Sequence, residues 1–137
     1  DIEKATQLLG YRYFFEGEVT EGNKLGRTIG YPTANLVLTT PEKLVPANGV
    51  YAVMAEIENS SGKLKGMMNI GIRPTVNGKL RQIEVHLFDF DEVIYGKKLT
   101  VTLVAKLRDE KKFTGLEELK EQLGADAAKA VELLKGS

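Results

Sequence analysis

A glycine-rich segment near the N-terminus has the composition of a phosphate-binding loop. Residues 22–35 read GNKLGRTIGYPTAN, with three glycines at intervals of four residues and two basic side chains, Lys24 and Arg27. Glycine lacks a Cβ, so its backbone N–H groups can approach phosphate oxygens closely, and the basic side chains could supply countercharge. The segment matches neither the Walker loop nor the dinucleotide-binding fingerprint. A phosphate cradle and a flexible hairpin loop are both open.

The end of this segment could hold a metal ion. Pro32 fixes its own φ and pushes the preceding residue into an extended conformation, so the chain should leave the loop as an edge strand. Side chains alternate along a strand, which places Thr33 and Asn35 on one face. Their hydroxyl and amide oxygens are hard, neutral donors that suit Mg²⁺ when nucleotide phosphates supply the negative charge. Two ordinary polar residues at a strand edge would give the same pattern.

The run 82–88, QIEVHLF, could carry a general base. Alternation places its aliphatic residues on one face and Glu84 with His86 on the other. A carboxylate on a rigid strand is well placed to accept the proton of an attacking hydroxyl in phosphoryl transfer. The alternative is a solvated strand face with a hydrogen-bonded structural histidine.

Three apolar residues near these motifs have simpler interpretations. Met67 and Met68 fall inside a predicted strand and are interpreted as core and lining residues. Phe113 is the lone aromatic in a charged segment before the first predicted helix. It could staple that helix or stack as a lid on a planar ring.

Periodicity places these residues on short strands followed by helices. Alternating runs predict six strands, at 13–19, 33–38, 50–57, 64–70, 82–88 and 99–107. Turn clusters at 59–62 and 76–79, the latter centred on Asn-Gly, predict antiparallel pairing of consecutive strands. Helical spacing then predicts two helices, the first capped by Thr114 with Glu117 and the second by Asp126. Six short strands would leave exposed edges unless the sheet closes, so we expect a mainly β protein, a closed or nearly closed barrel with C-terminal helices.

Composition limits the classes of function. The chain has 137 residues, 42% hydrophobic and 28% charged, which predicts one folded domain. Nineteen basic residues balance nineteen acidic ones, which argues against binding to nucleic acid or an anionic membrane through overall charge. The absence of cysteine and the single histidine exclude disulfides, thiolate chemistry and paired-histidine motifs. No segment is long and apolar enough for a membrane span, so we expect a cytoplasmic protein.

Several ordered motifs together resemble the signature of riboflavin kinases. The first is the glycine-rich segment 22–35, and the others are GVYA at 49–52, MNIGIRPT at 68–75, EVHLFDF at 84–90, IYGK at 94–97 and LRDEKKF at 107–113. They occur in the order of that family and cover about residues 8–134. Ordered motifs are more specific than any single one, so together they favour the chemical interpretations given above.

The resemblance implies a fold and an activity. The fold is a six-stranded antiparallel Greek-key β-barrel with C-terminal helices, which agrees with the strand count. The activity is that of an ATP-dependent riboflavin kinase, which transfers the γ-phosphate of ATP to the 5′-hydroxyl of riboflavin and forms FMN and ADP with Mg²⁺ or another divalent cation. Residues 11–137 would be the kinase domain, and residues 1–10 would be an N-terminal linker segment that ends on a glycine.

Positions that match the family's motifs acquire roles through the resemblance. Glu84 matches the catalytic carboxylate, and Thr33 with Asn35 matches the ligands of the metal and the ATP phosphates. The remaining residues expected to bind ATP are Gly22, Lys24, Gly26, Arg27 and Tyr95. Those expected to bind the flavin are Arg108, Phe113 and Leu116.

The resemblance also implies partners. In bacteria this domain commonly follows an FMN adenylyltransferase domain with a paired-histidine motif, so we expect such a fusion in the full-length protein. The expected ligands are riboflavin or FMN and ATP or ADP, with no nucleic acid and no membrane. One alternative is a non-catalytic barrel that binds flavin or nucleotide. Another is a barrel that binds single-stranded nucleic acid, against which the zero net charge argues.

Overall fold

A computed structural model of the chain describes residues 14–21, 30–38, 47–90 and 94–135. Within these ranges it has six strands and one helix: β1 Phe14–Glu21, β2 Ala34–Leu38, β3 Gly49–Ile57, β4 Leu64–Thr75, β5 Gly78–Leu87, β6 Lys98–Arg108 and α1 Leu116–Leu134. The predicted linker at 1–10 and the glycine-rich residues 22–29 lie outside the described residues. The domain boundary at residue 11 therefore stays a prediction.

The strands close into an antiparallel barrel, as predicted. Their order is β1-β2-β5-β4-β3-β6, and β6 pairs again with β1. Strands β3, β4 and β5 are joined as successive hairpins, and β6 returns to lie beside β3. This is the Greek-key order. Closure gives every strand two hydrogen-bonded neighbours, which removes the exposed edges of an open sheet.

The β4–β5 hairpin is longer than the alternation predicts. Pairing runs from Gly66 opposite Leu87 to Thr75 opposite Gly78. Glycine and proline weaken a strand pattern, and several occur in this stretch, so the sequence underestimates both strands. The two turn residues are 76 and 77, one position before the predicted Asn-Gly centre.

Strand β3 shows how the apolar core divides into two layers. Alternate residues such as Tyr51 and Val53 lie inside the barrel, in a cluster to which all five of the other strands contribute residues. The intervening Ala52 and Met54 pack outside the barrel wall against α1, together with Leu134. Both faces of β3 are therefore apolar, because the barrel interior covers one and the helix covers the other. The candidate site lies between the wall and α1.

The C-terminal region forms a single helix, so the prediction of two helices is wrong. Helix α1 continues through Gly124, although glycine costs about 1 kcal/mol relative to alanine in a helix interior. Four alanines at 125, 127, 128 and 130 favour the helix around this position. Asp126, predicted to cap a second helix, is instead an interior helical residue that is 4% exposed. Among the described residues, no helix combines the length and hydropathy that crossing a membrane requires.

The N-terminus of α1 also differs in detail from the predicted capping box. Gly115 occupies the N-cap position in an extended conformation, with no side-chain capping bond. The Thr114 hydroxyl donates a hydrogen bond to the Glu118 carboxylate, at 2.8 Å. Glu117 and Glu118 lie in the first turn, where negative charge interacts favourably with the helix dipole.

Candidate active site

A row of polar residues crosses three strands on the outer face of the barrel. Asn35 on β2 lies opposite Glu84 on β5, and Glu84 lies opposite Asn69 on β4. Directly opposed residues point to the same side of a sheet, so the three side chains form one row. The Thr33 hydroxyl donates to Glu84 Oε1 at 3.4 Å, and Gln82 Nε2 donates to Asn35 Oδ1 at 3.1 Å. The strand register thus brings Thr33, Asn35 and Glu84 together.

His86 fixes the segment that leads into β2. Its Nδ1 lies 2.7 Å from the carbonyl oxygen of Pro32. The imidazole also makes edge contacts with Tyr31 and Phe88, each with ring centroids 5.5 Å apart. His86 is therefore the hydrogen-bonded structural histidine of the alternative interpretation, and it anchors the residue next to Thr33.

A cavity of about 250 Å³ opens beside this row. Its barrel side is formed by Val50, Met67, Met68, Asn69, Glu84 and His86, with Tyr31 and Thr33 at the start of β2. Its other side is formed by Arg108, Glu110, Lys111, Phe113, Leu119 and Leu123, from the end of β6, the following segment and the first half of α1. Aromatic and aliphatic walls with a few directed polar groups are typical of sites for small organic molecules.

Arg108 and Phe113 form one wall of the cavity. The guanidinium carbon of Arg108 lies 5.7 Å from the centroid of the Phe113 ring, and Lys111 Nζ lies at the same distance from that centroid. Arg108 Nη1 donates a hydrogen bond to the carbonyl oxygen of Asp109, at 3.0 Å. These contacts join the end of β6 to the segment that follows it.

A short ion pair holds the same segment on its outer side. Lys106 Nζ lies 2.6 Å from Asp109 Oδ1. This hydrogen bond lowers the pKa of Asp109 and raises the pKa of Lys106. Both groups are exposed, so the pair orients the exit of β6 but adds little to the free energy of folding.

Some of the predicted catalytic and ligand-binding residues line the cavity, and others do not. Glu84, Thr33, Arg108 and Phe113 line it. Asn35 lies in the adjoining polar row. Leu116 and Tyr95 are 49% and 44% exposed and do not contribute to the cavity wall. Gly22, Lys24, Gly26 and Arg27 fall outside the described residues.

Sequence reasoning did not identify several residues of the site. Asn69 carries a usable signal, because it alternates with Met67 on the outer face of β4. Leu119 and Leu123 are spaced by four residues and share one face of α1. Glu110 had no such signal, since its position follows from the fold of the segment after β6.

The donor set of the row suits a hard divalent cation that arrives with phosphate. Thr33 and Asn35 offer neutral oxygens, and Glu84 offers a carboxylate on the same face. Mg²⁺ prefers oxygen ligands and commonly takes only a few from protein. In the part of the chain that the structure describes, no group of three or more histidine, cysteine, aspartate or glutamate side chains could hold a metal.

Comparison with protein families gives a match over almost the whole chain. The model of the riboflavin kinase family, Flavokinase, matches residues 9–134. A bifunctional riboflavin kinase/FMN adenylyltransferase of Haemophilus influenzae is 45% identical over 131 residues, which is 95% of this chain and 41% of the relative. The chain spans about two fifths of the length of the curated relatives that it matches.

Two solved structures share the fold. A protein of Streptococcus pneumoniae named as a macrolide-efflux protein has a TM-score of 0.83 and 40% identity, covering 93% of this chain and 41% of that one. Riboflavin kinase from Trypanosoma brucei has a TM-score of 0.68 and 22% identity, covering 90% and 77%. At that identity the second likeness supports the fold alone. The name of the first structure differs from the family model and the curated relative, both of which name riboflavin kinase.

Proposed function

Since this chain belongs to the riboflavin kinase family, we propose that it transfers the γ-phosphoryl group of ATP to the 5′-hydroxyl of riboflavin, forming FMN and ADP. One observation carries the proposal beyond family membership. Glu84 lies on the wall of a cavity suited to an organic ring and, through Thr33, beside a set of oxygen donors suited to phosphate and its cation. This position supports the proposal that the acceptor hydroxyl and the phosphoryl donor meet at the Glu84 carboxylate.

In this reaction Glu84 acts as the general base. The riboflavin 5′-hydroxyl gives its proton to the carboxylate, and its oxygen forms a bond to the γ-phosphorus. The bond from the γ-phosphorus to the bridging oxygen breaks, and ADP leaves with that electron pair. Phosphoryl transfer depends mainly on positioning and charge neutralisation, so one base and a well-shaped site are sufficient protein chemistry.

The cavity is the proposed site of the flavin ring. The Arg108 guanidinium and the Phe113 ring offer planar surfaces on which an isoalloxazine could stack. Leu116 lies just beyond, in the first turn of α1, and is exposed enough to contact a ligand that extends out of the cavity. These three residues remain the proposed flavin-binding set.

The phosphate side is proposed to lie at the junction of β1 and β2. Glu21 and Ala34 are paired at the ends of these strands, so the connection that carries Gly22, Lys24, Gly26 and Arg27 begins and ends next to Thr33. This supports the proposal that these residues surround the ATP phosphates.

Tyr95 is proposed to border the nucleotide from the far side of β1. The N–H of Gly96 donates to the carbonyl oxygen of Val19 at 2.8 Å, and Val19 lies opposite Leu36 on β2. Tyr95 is therefore near the strand pair that leads into the proposed phosphate site, and its ring is partly exposed.

Thr33 and Asn35 are the residues that would hold Mg²⁺ or another divalent cation, together with the nucleotide. A bound cation would supply charge neutralisation on the phosphates. Thr33 also hydrogen-bonds Glu84, so the same residue orients the base.

We also propose that the full-length protein carries an FMN adenylyltransferase domain and acts in the cytoplasm. The bifunctional relative supports the first part, because it includes that activity in its name and is more than twice as long as this chain. The 137-residue chain should then form FMN from riboflavin and ATP without converting it to FAD.

The proposal is tested by incubating the chain with riboflavin, ATP and Mg²⁺, separating the flavins by chromatography and measuring ADP in parallel. FMN formed in step with ADP supports the kinase. Riboflavin that binds but stays unchanged supports the non-catalytic barrel instead. Riboflavin that neither binds nor reacts contradicts the assignment.

The role of Glu84 is tested by Glu84→Gln, with Glu56→Gln as the matched control. Glu56 is an exposed strand glutamate whose carboxylate lies 4.0 Å from Lys63 Nζ. Loss of a general base should lower kcat by about 10²–10⁴-fold while riboflavin still binds. Equal turnover in the two variants would remove Glu84 from the reaction.

A further inference from the structure

Arg108 is joined to helix α1 by a bidentate, partly buried ion pair with Asp126. Its Nε lies 3.0 Å from both carboxylate oxygens of Asp126, and its Nη2 lies 2.8 Å from Asp126 Oδ2. Gln122 Nε2, one turn earlier on the helix, donates to Asp126 Oδ1 at 2.9 Å. The side chains of Arg108 and Asp126 are only 19% and 4% exposed. The two residues are 18 positions apart in the chain.

Other contacts also hold the helix on the barrel. Apolar packing already joins α1 to the wall through Ala130 and Leu134. Lys129 Nζ also donates to the carbonyl oxygen of Leu107, at 3.1 Å, and so ties the helix to the residue next to Arg108. Buried ion pairs contribute little net stability compared with apolar residues of similar volume, but their geometry is restrictive. The arrangement therefore suggests a role in orientation.

The hydrogen bonds of Arg108 fix the plane of its guanidinium, and its central carbon lies 5.7 Å from the centroid of the Phe113 ring. Its Nε and Nη2 donate hydrogen bonds to the Asp126 carboxylate, and its Nη1 donates one to the carbonyl oxygen of Asp109. All of these bonds lie at the rim of the planar guanidinium, so none covers its faces. Because Arg108 lines the cavity, the orientation of this plane decides how it meets a ligand.

We propose that Asp126, oriented by Gln122, is a positioning residue that holds the Arg108 guanidinium in the plane in which it stacks on the flavin ring. The proposal rests on the proposed function, because it takes the ring system of riboflavin as the ligand of this wall. It makes α1 part of the substrate site as well as a cover for the barrel. The Asp126 charge also balances the guanidinium, which suits an uncharged planar ring.

The test compares Asp126→Asn with Lys129→Met in the full chain. Asp126→Asn removes the charge that orients Arg108, whereas Lys129→Met removes a bond between the same helix and the same strand end. Loss of one charge-assisted orientation should raise the KM for riboflavin by about tenfold for Asp126→Asn. We expect the KM for ATP to change less than about twofold in both variants, and Lys129→Met to keep the wild-type KM for riboflavin.

A double-mutant cycle separates positioning from general support of the fold. Riboflavin affinity is measured by flavin fluorescence for wild type, Asp126→Asn, Arg108→Met and the combined variant. If Asp126 acts through Arg108, its replacement has no further effect once Arg108 is methionine. An equal loss of affinity in both backgrounds would overturn the proposal. If Asp126→Asn alone does not fold, a further loss of riboflavin affinity from Arg108→Met to Arg108→Met/Asp126→Leu would overturn the proposal.

Failure of this inference can be told from failure of the proposed function. Normal FMN formation with an unchanged riboflavin KM in Asp126→Asn overturns the positioning role alone. A wild-type chain that binds riboflavin without forming FMN contradicts the kinase, and the binding cycle still decides the role of Asp126. A wild-type chain that does not bind riboflavin overturns both.

Discussion

Two glycines on strand β4 should respond very differently to alanine. A Cβ added to Gly66 would lie 2.5 Å from the backbone carbonyl oxygen of His86 and 3.2 Å from Leu87 Cδ2. A Cβ added to Gly71 would overlap the carboxylate of Glu110. At Gly66 the added atom meets the backbone of the neighbouring strand, whereas at Gly71 it meets the end of a flexible, exposed side chain. Gly66→Ala should therefore distort the barrel, whereas Gly71→Ala should displace one carboxylate.

The expected magnitudes follow from these distances. Real Cβ contacts essentially never fall below 3.0 Å, so Gly66→Ala must move β5 away from β4 by about 0.5 Å (3.0 − 2.5). Overpacking of this kind destabilises the folded state by about 1–3 kcal/mol. Alanine also lowers the conformational entropy of the unfolded chain, which stabilises the folded state by about 0.4–1 kcal/mol. We expect Gly66→Ala to lose about 1–2 kcal/mol of the free energy of unfolding, and Gly71→Ala to stay within about 0.5 kcal/mol of wild type.

Urea unfolding followed by circular dichroism measures both effects. With a urea m-value of about 2 kcal/mol/M, Gly66→Ala should lower the midpoint by about 0.5–1 M, and Gly71→Ala should leave it nearly unchanged. Gly71→Ala should instead raise the KM for riboflavin, because Glu110 lines the cavity. Adding Glu110→Ala should remove the part of that increase caused by the collision. Equal destabilisation by the two alanines would refute the steric reasoning.

Three further predictions concern the helix, the barrel interior and the phosphate site. Leu134→Ala, at a fully buried position, should cost about 2–4 kcal/mol in urea unfolding, whereas Leu133→Ala, 43% exposed, should cost less than about 1 kcal/mol; equal losses would contradict the packing of α1. Burial raises the pKa of the Tyr51 phenol above 10.0, so its contribution to stability is full below pH 10.0 and is lost as pH rises through the raised pKa. Unfolding midpoints measured across this range should fall less steeply for Tyr51→Phe than for wild type, and an unchanged slope would be inconsistent with this. Thr33→Ala or Asn35→Ala should weaken the use of Mg–ATP more than the binding of riboflavin, and equal losses of both would count against their proposed role as metal ligands.

The strand pattern was predictable because the barrel enforces it. Ile83 and Val85 are almost completely buried in the barrel interior, and Glu84 between them faces the cavity. A period of two is a direct consequence of a wall with one apolar side, so the outward direction of Glu84 could be predicted from neighbouring residues alone. The same logic is less informative for β3, where both faces are apolar.

The helix was predicted less well because the contact that Asp126 makes is with a residue far from it in the sequence. Gly124 and Asp126 are signals of a helix stop and a new helix cap when only local spacing is considered. Asp126 instead pairs with Arg108, and the helix continues to bring it there. This tertiary contact overrides the local preference, and no spacing within the last third of the chain reveals it.

The candidate site depends on strand register in a way that residue spacing cannot show. Asn35, Glu84 and Asn69 become neighbours only because β5 lies between β2 and β4, in the register that the structure has. A slip of one residue would turn Glu84 into the barrel interior and bring Val85 to the outer face. The apolar residues that pack inside the barrel exclude that slip, since it would bury the carboxylate and expose a core valine. Substitutions in the barrel interior should therefore affect turnover through the position of Glu84, even where they contact no ligand.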